Sequence, residues 1–272
     1  MLNSSLMRGL MRKVSMPYAL LLNHEEDYNN GDNVPVWNDK TGNDAHAVQD
    51  TAANQPKWNT SQFSVGSVNF TATGQNMVIP ASIRPADIFF PKGSIAIVFK
   101  VDGNGNNTQF GRLLSTVDPG ELGFRLNTHW RNSQAFWFVH HFAHDTESVF
   151  TNKRIQFEYP SITSFGTRVL AIVSYESIVN DAPGQSPEAY FYGEGTVNGA
   201  ASPTIAQLPV EGCYHGSDEA QDLVIGNSSL GTSTMQGAVS FIKIKKGSFF
   251  TAQEIEDLKT LAKNTYQVDI PD

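Results

Sequence analysis

The sequence predicts an all-β sandwich closed by one short C-terminal helix. Short runs of β-branched and aromatic residues recur along the chain, each bounded by Gly, Asn, Pro or Ser, and this pattern is typical of strands joined by turns rather than of βαβ units. One segment is strongly helical, because Thr251 and Glu254 form a capping box ahead of an apolar stripe at Ile255, Leu258 and either Leu261 or Ala262. A sandwich of this kind accommodates all 272 residues in one domain.

The clearest strand covers residues 94–101, where Ile95, Ile97 and Phe99 alternate on one face. Gly and Asn dominate residues 103–107, which predicts a hairpin turn, with residues 110–115 as the returning strand. The other predicted strands are residues 18–22, 34–37, 63–70, 76–80, 123–127, 135–142, 154–159, 167–175, 188–193, 223–226 and 238–244.

Charge and cysteine content argue against several classes of protein. The formal net charge is -8, whereas sequence-independent binding to nucleic acid needs a basic surface, so we expect no nucleic-acid partner. Cys213 is the one cysteine, so no intrachain disulfide forms and stability must come from packing. No apolar run approaches the ~20 residues of a membrane span, and no secretory signal pattern is recognised.

The first sixteen residues differ in character from the rest of the chain. Leu2, Leu6, Leu10 and Val14 recur every four residues, which is a helical spacing, among the basic residues of this segment. We interpret residues 1–16 as an N-terminal arm that docks on a neighbouring subunit, with residues 17–272 forming the sandwich. The alternative is a flexible tail.

Aromatic and histidine residues are concentrated between residues 130 and 144. Alternation in the predicted strand 135–142 places Trp137 and His141 on one face, with Val139 between them. The opposite face carries an aromatic set that suits the core. We therefore predict that Trp137 and His141, together with Trp130, form a platform on which a sugar stacks. The alternative is a second buried layer.

The candidate metal site lies in the predicted hairpin turn. Asp102, Asn104 and Asn106 resemble the start of a calcium loop, so calcium is the candidate ion. An EF-hand is excluded, because position 107 is not Gly and position 113 is not Glu. His140 and His144 would lie ~13 Å apart on one strand and could not share a zinc ion.

Two recurrent catalytic patterns are missing from the sequence. Glycoside cleavage needs two carboxylates about 5–10 Å apart, and the Glu-x-Asp-x-x-Glu strand of sandwich-type glucanases is not present. The Gln-x-His strand of sandwich-type alginate lyases is missing too. We therefore expect no enzymatic activity and assign no catalytic residue.

Several segments together resemble a known family. They are residues 36–45 (VWNDKTGNDA), 223–226 (LVIG), 236–244 (QGAVSFIKI) and 251–255 (TAQEI). They are similar to the concanavalin A-like, laminin-G-like domain of bacterial and bacteriophage surface proteins. The resemblance implies a two-sheet antiparallel jelly roll over roughly residues 17–268. Members of the family bind glycans, bind proteins, cleave polysaccharides or build assemblies, and the fold does not choose among these roles. Residues 70–74 depart from the family's Phe-Asp-Gly turn, which weakens the case for calcium.

The resemblance and the arm lead to one expected function and two alternatives. We expect a non-enzymatic structural and adhesive component of a tailed-bacteriophage virion, made in the host cytoplasm. Its arm would dock on other virion proteins or on further copies of the chain, and its sandwich would contact a cell-surface polysaccharide. The alternatives are a calcium-dependent carbohydrate-binding lectin and a polysaccharide-cleaving enzyme.

Overall fold

The structure is a computed structural model that describes residues 18–103, 110–117, 122–129, 135–144, 154–159, 166–179, 187–194, 196, 198–207, 212–228 and 231–271. These residues form two large antiparallel sheets, one small sheet and one α-helix, which confirms the predicted all-β sandwich. The predicted arm, with Leu2, Leu6, Leu10 and Val14, lies outside the described residues. Within them, no helix is long and apolar enough to cross a membrane.

Among the described residues the strands are mostly short, one 3-10 helix lies between the third and fourth strands, and one α-helix follows the last strand. In chain order the elements are β1 (Leu20–Leu22), β2 (Val36–Trp37), β3 (Ala47–Val48), the 3-10 helix (Ala52–Asn54), β4 (Lys57–Asn59), β5 (Ser67–Phe70), β6 (Met77–Ile79), β7 (Lys92–Gly103), β8 (Phe110–Ser115), β9 (Gly123–His129), β10 (Ala135–His141), β11 (Ala143–His144), β12 (Arg154–Tyr159), β13 (Arg168–Glu176), β14 (Glu188–Tyr192), β15 (Gly199–Ala201), β16 (Thr204–Gln207), β17 (Cys213–Tyr214), β18 (Leu223–Ile225), β19 (Gln236–Lys246) and α1 (Ala252–Asn264).

The strands are divided between the sheets in a jelly-roll-like manner. The eight-stranded sheet has the order β15-β14-β13-β7-β19-β5-β4, with β1 pairing β19 beyond the end of β5. The nine-stranded sheet has the order β16-β12-β10-β9-β8-β18-β6-β3-β2, and β11 pairs with β17 separately. The long strands β7 and β19 pair along most of their length and form the centre of the eight-stranded sheet.

The main core lies between the two sheets. One face of β10 contributes Phe136 and Phe138, which meet Phe99 of β7 and Phe191 of β14 from the opposite sheet. Phe136 meets Phe191 edge to face, with 5.1 Å between the ring centroids, and stacks on Phe99 at 6.5 Å. The predicted alternation in residues 135–142 is therefore confirmed, because the aromatic set faces the core.

The prediction of a hairpin between β7 and β8 is wrong. Strand β7 pairs with β13 and β19 in the eight-stranded sheet, whereas β8 pairs with β9 and β18 in the nine-stranded sheet. The chain therefore crosses from one sheet to the other after Gly103. Gly and Asn residues indicate that the chain turns after β7, but they do not indicate which strand pairs with β7.

The C-terminal helix forms as predicted and covers the eight-stranded sheet. The Thr251 hydroxyl accepts a hydrogen bond from the Glu254 amide at 3.2 Å, and the Glu254 carboxylate accepts one from the Thr251 amide at 2.7 Å. Leu258 and Ala262 are buried against the sheet. Burial opposes ionisation of Glu254, but hydrogen bonds from Lys245 and Thr251 outweigh it and lower its pKa to about 2.

Candidate functional site: the outer face of the nine-stranded sheet

The two sheets differ in what covers their outer faces. On the eight-stranded sheet, outward side chains such as Val98, Leu170 and Phe241 form a second apolar cluster with α1 and the C-terminal residues Tyr266 and Val268. This face is therefore already used for packing. The outer face of the nine-stranded sheet carries polar and charged side chains instead, and it is the candidate site.

Pairing of β8, β9, β10 and β12 places the outward side chains of this face in rows. The first row runs Arg112, Asn127, Trp137 and Glu158, and the second runs Ser115, Arg125, Val139 and Gln156. In the third row, His141 lies between Gly123 and Arg154. Neighbouring strands are about 4.8 Å apart, so these side chains share one continuous patch. We call the ten residues of these rows other than Gly123 the outer-face patch. They are Arg112, Ser115, Arg125, Asn127, Trp137, Val139, His141, Arg154, Gln156 and Glu158.

Valine dominates the neighbouring part of the same face. The second row continues across the sheet through Val224, Val78, Val48 and Val36. The face therefore changes from apolar at β2 to strongly polar at β9. A shallow depression of about 130 Å³, lined partly by Ser115 and Val224, lies at the boundary.

Several polar atoms of the outer-face patch are buried without a hydrogen-bond partner. They are Oδ1 of Asn127, Nε of Arg125, and both ring nitrogens of His141. Asn127 is 2% exposed and His141 is 1% exposed. A buried polar group without a partner costs about 1–3 kcal/mol, so native proteins rarely leave several together. Four such atoms therefore lie together in the outer-face patch, beneath the surface of the molecule.

Positive charge accumulates in the same place. Burial, followed by the charges of Arg112 and Arg154, lowers the pKa of Arg125 to about 10. Burial also lowers the pKa of His141 to about 3, and the same three arginines act in that direction, so the imidazole is neutral at pH 7. Arg112 is held in place, since its Nη1 donates to the Val117 carbonyl at 2.7 Å.

The structure brings together two of the three predicted glycan-contact residues. Trp137 and His141 lie on the outward face of β10, with Trp137 half-buried and His141 buried, and Trp130 lies outside the described residues. Sequence reasoning missed Arg125 and Asn127, which alternate with Phe124 and Leu126 in β9. That alternation of polar and apolar residues was the available signal. Contact with a glycan stays a prediction for all of these side chains.

Of the three candidate calcium residues, the structure describes Asp102, whose carboxylate is engaged by other side chains. The Asp102 carboxylate lies 2.9 Å from Lys100 Nζ and accepts a hydrogen bond from Gln62 Nε2 at 2.8 Å. Asn104 and Asn106 lie outside the described residues. No group of three His, Cys, Asp or Glu side chains suited to a metal ion occurs among the residues that are described. The calcium site therefore stays a prediction, and Asp102 is the one of its three residues that can be described.

The turn after β2, another source of oxygen ligands, is also fully engaged. Both Asp39 carboxylate oxygens accept hydrogen bonds, from the amides of Leu21, Thr41 and Ala45 and from the Thr41 hydroxyl at 2.6 Å. This buried carboxylate therefore organises the turn and ties it to β1. It has no lone pair directed at an ion.

A second polar cluster lies at one end of the core, around His215. Its ring stacks on Phe90 at 4.0 Å, its Nδ1 is 3.5 Å from Ser177 Oγ, and its Nε2 is 3.4 Å from Asp87 Oδ1. The Asp87 contact is therefore within ion-pair range. Ser177 is completely buried, so a substrate could not reach its hydroxyl.

Comparison with known proteins identifies the fold but does not assign the chain to a family. No protein-family model matches the sequence, and no curated protein is significantly similar to it. Among solved structures, the receptor-binding domain of botulinum neurotoxin mosaic serotype C/D superposes with a TM-score of 0.59 at 9% identity, over 89% of this chain and 50% of that one. The chain thus spans half the length of that domain.

Two further structures show similar likeness. Trypanosoma rangeli sialidase matches with a TM-score of 0.54 at 13% identity, over 92% of this chain and 34% of the sialidase. Domain 4 of an extracellular arabinanase from Geobacillus stearothermophilus, solved in complex with arabinotriose, matches with a TM-score of 0.52 at 11% identity, over 89% of this chain and 97% of that domain. At these identities the likeness shows a shared β-sandwich fold alone.

Proposed function

We propose that this protein is a non-enzymatic β-sandwich module that binds a glycan on the outer face of its nine-stranded sheet. The observation that carries the proposal is the outer-face patch, where the partly exposed side chains of Trp137, Arg125, Arg154 and Glu158 share one face of three neighbouring strands. Saccharides offer hydroxyl groups that donate and accept hydrogen bonds, and apolar ring faces that pack on aromatic side chains.

The structural neighbours support the same role. One is a receptor-binding domain and another was solved with an arabinose trisaccharide, so this type of sandwich carries saccharide and receptor sites in other proteins. The fold alone does not assign the function, so the proposal depends on the outer-face patch.

The outer-face patch also supports a binding role over a hydrolytic one. Glycoside hydrolysis needs two carboxylates flanking the scissile bond, about 5–10 Å apart. Among the described residues of β9, β10 and β12 that face outward, Glu158 is the one carboxylate. The rest of that surface is basic or neutral, which suits binding.

A glycan array tests the proposal with the full chain and two variants. We expect the wild-type protein to bind at least one class of polysaccharide. Trp137→Ala should weaken that binding by about fivefold or more, because a truncated aromatic anchor loses its packing area. The matched control is Tyr190→Ala, which removes a half-buried aromatic ring from the outer face of the other sheet. Binding to no saccharide at all would contradict the proposed function.

We further propose that this glycan-binding module belongs to a tailed-bacteriophage virion. It is supported by the resemblance of residues 36–45, 223–226 and 251–255 to phage and bacterial surface domains, and by the apolar stripe of the predicted arm. In this setting the arm docks on the particle and the sheet faces the host polysaccharide. Deletion of residues 1–16 is expected to abolish incorporation into particles and leave glycan binding unchanged. Normal incorporation of the truncated chain would contradict the docking role.

A further inference from the structure

Valine side chains make one part of the nine-stranded sheet apolar on its outer face. Pairing of β2, β3, β6 and β18 aligns four of them in what we call the valine row: Val36, Val48, Val78 and Val224. Their chain neighbours, such as Trp37 and Met77, belong to the main core, whereas the four valines belong to neither apolar cluster. Three of the four are partly exposed. This apolar part of the face is therefore open to contact.

On the eight-stranded sheet, a helix covers the outward apolar side chains. Leu258 and Ala262 of α1 pack in the second apolar cluster with Val98 and Leu170 of the sheet. Covering side chains in this way removes apolar surface from water, which is favourable. A second amphipathic segment would have the same effect on the valine row.

The predicted arm carries an apolar stripe of matching length. Leu2, Leu6, Leu10 and Val14 recur at a helical spacing, and a helix rises about 1.5 Å per residue, so the stripe would extend about 18 Å. The valine row crosses four strands that lie about 4.8 Å apart, so it extends about 14 Å. Both apolar surfaces would otherwise face water, so contact between them is favourable for each.

The described chain begins beside the edge of the sheet where the valine row starts. It begins at Tyr18, and the Asn43 side-chain amide donates to the carbonyls of Tyr18 and Ala19, at 3.4 and 3.2 Å. Asn43 lies in the turn between β2 and β3, the two strands at that edge. Four residues connect Val14 to Tyr18 and span at most about 14 Å. A segment tethered this closely meets its own sandwich at high effective concentration, which favours the same chain over a second copy.

Charge supports the same placement of the arm. The arm contains Arg8, Arg12 and Lys13 and has no acidic residue. Two exposed aspartates, Asp50 and Asp222, each lie two residues along the chain from a member of the valine row. Opposite charges beside an apolar contact favour one register of that contact over others.

We propose that residues 1–16 pack on the valine row of their own chain while the protein is free. This inference rests on the arm of the proposed function and adds the place where its stripe lies before it docks on a particle. Docking then requires the arm to leave the valine row. The free chain thereby keeps its apolar stripe out of water until a partner surface competes for it.

Trypsin tests this placement on the full chain, because the arm offers cleavage sites after Arg8, Arg12 and Lys13. A segment packed on the sandwich is cut only after its release, so the cleavage rate reports the released fraction. Val48→Asp places a charge in the valine row and is expected to speed cleavage within the arm at least tenfold. Leu6→Asp in the stripe should have the same effect, and the double variant should be cut no faster than either single variant.

The matched control is Val65→Asp, which alters a partly buried valine that packs against the second apolar cluster, and it should leave cleavage within the arm at the wild-type rate. Mass spectrometry of the products separates cleavage in the arm from cleavage of the sandwich, so unfolding is not mistaken for release. Wild-type arms that are cut as fast as those of Val48→Asp would overturn the inference. Protection that weakens on dilution would also overturn it, because the arm would then lie on a second copy. Neither result would change glycan binding, which the array measures separately.

Discussion

Arg84→Met is expected to destabilise the protein by about 3–5 kcal/mol, because it leaves the Asp218 carboxylate buried without its counter-charge. The two groups lie 2.8 Å apart, and their side chains are 0% and 3% exposed. The Asp87 amide also donates to this carboxylate at 2.7 Å. The guanidinium further donates to carbonyls at Pro85, Asp218 and Gln221, so its loss separates two loops at one end of the sandwich.

Urea unfolding of three variants checks this expectation. Lys259→Met is the matched control, because it breaks an exposed pair with Glu256 on α1 at 2.9 Å, which should contribute less than about 1 kcal/mol. The double variant Arg84→Met with Asp218→Asn removes the buried charge and keeps an acceptor for the Asp87 amide, so it should recover part of the loss. An Arg84→Met midpoint equal to that of Lys259→Met would show that the buried pair does not stabilise the fold.

The fold class and the helix were predictable because their signals are local. Alternation in β7 and β10 sets which side chains are buried, and the Thr251–Glu254 capping box sets where α1 begins. The partners of each strand were not predictable in the same way. Strands β7 and β8 are successive in the sequence but lie in different sheets, since the closing of a sandwich depends on contacts between distant segments.

Several short strands gave no usable signal. Strand β4 is three residues long and contains one buried side chain, Trp58, and β17 is only two residues long. In the predicted strand 63–70, only Ser67–Phe70 joins a sheet, because Phe63 is buried in the cluster under α1 and the chain turns before Gly66. Periodicity cannot identify a strand shorter than about four residues.

Only some residues of the candidate site could be predicted from the sequence. The aromatic content of β10 pointed to Trp137 and His141, whereas Arg125 and Asn127 looked like ordinary outward residues of a half-exposed strand. Their significance comes from burial and from unmet hydrogen bonds, and both are properties of the assembled sheet. A sequence pattern reports which face a side chain takes and does not report what covers that face.

Lowering the pH from 7 to 5 is expected to remove about 2 kcal/mol of stability through His141 alone. Its pKa in the folded protein is about 3, because burial and then Arg125, Arg154 and Arg112 disfavour the imidazolium. The unfolded histidine, with a pKa of about 6.5, takes up a proton over this range and the folded one does not, so unfolding is favoured as the pH falls. Burial also lowers the pKa of His140, which adds in the same direction.

Urea unfolding at half-unit steps between pH 7 and pH 5 measures the effect, because most Asp and Glu side chains stay ionised over that range. His141→Gln should reduce the number of protons taken up on unfolding over this range by about one. A free energy of unfolding that does not change with pH in the wild type would contradict the lowered pKa of His141. His141→Gln should also be the more stable protein at pH 5, because the two ring nitrogens that it removes are buried without hydrogen-bond partners at a cost of about 1–3 kcal/mol.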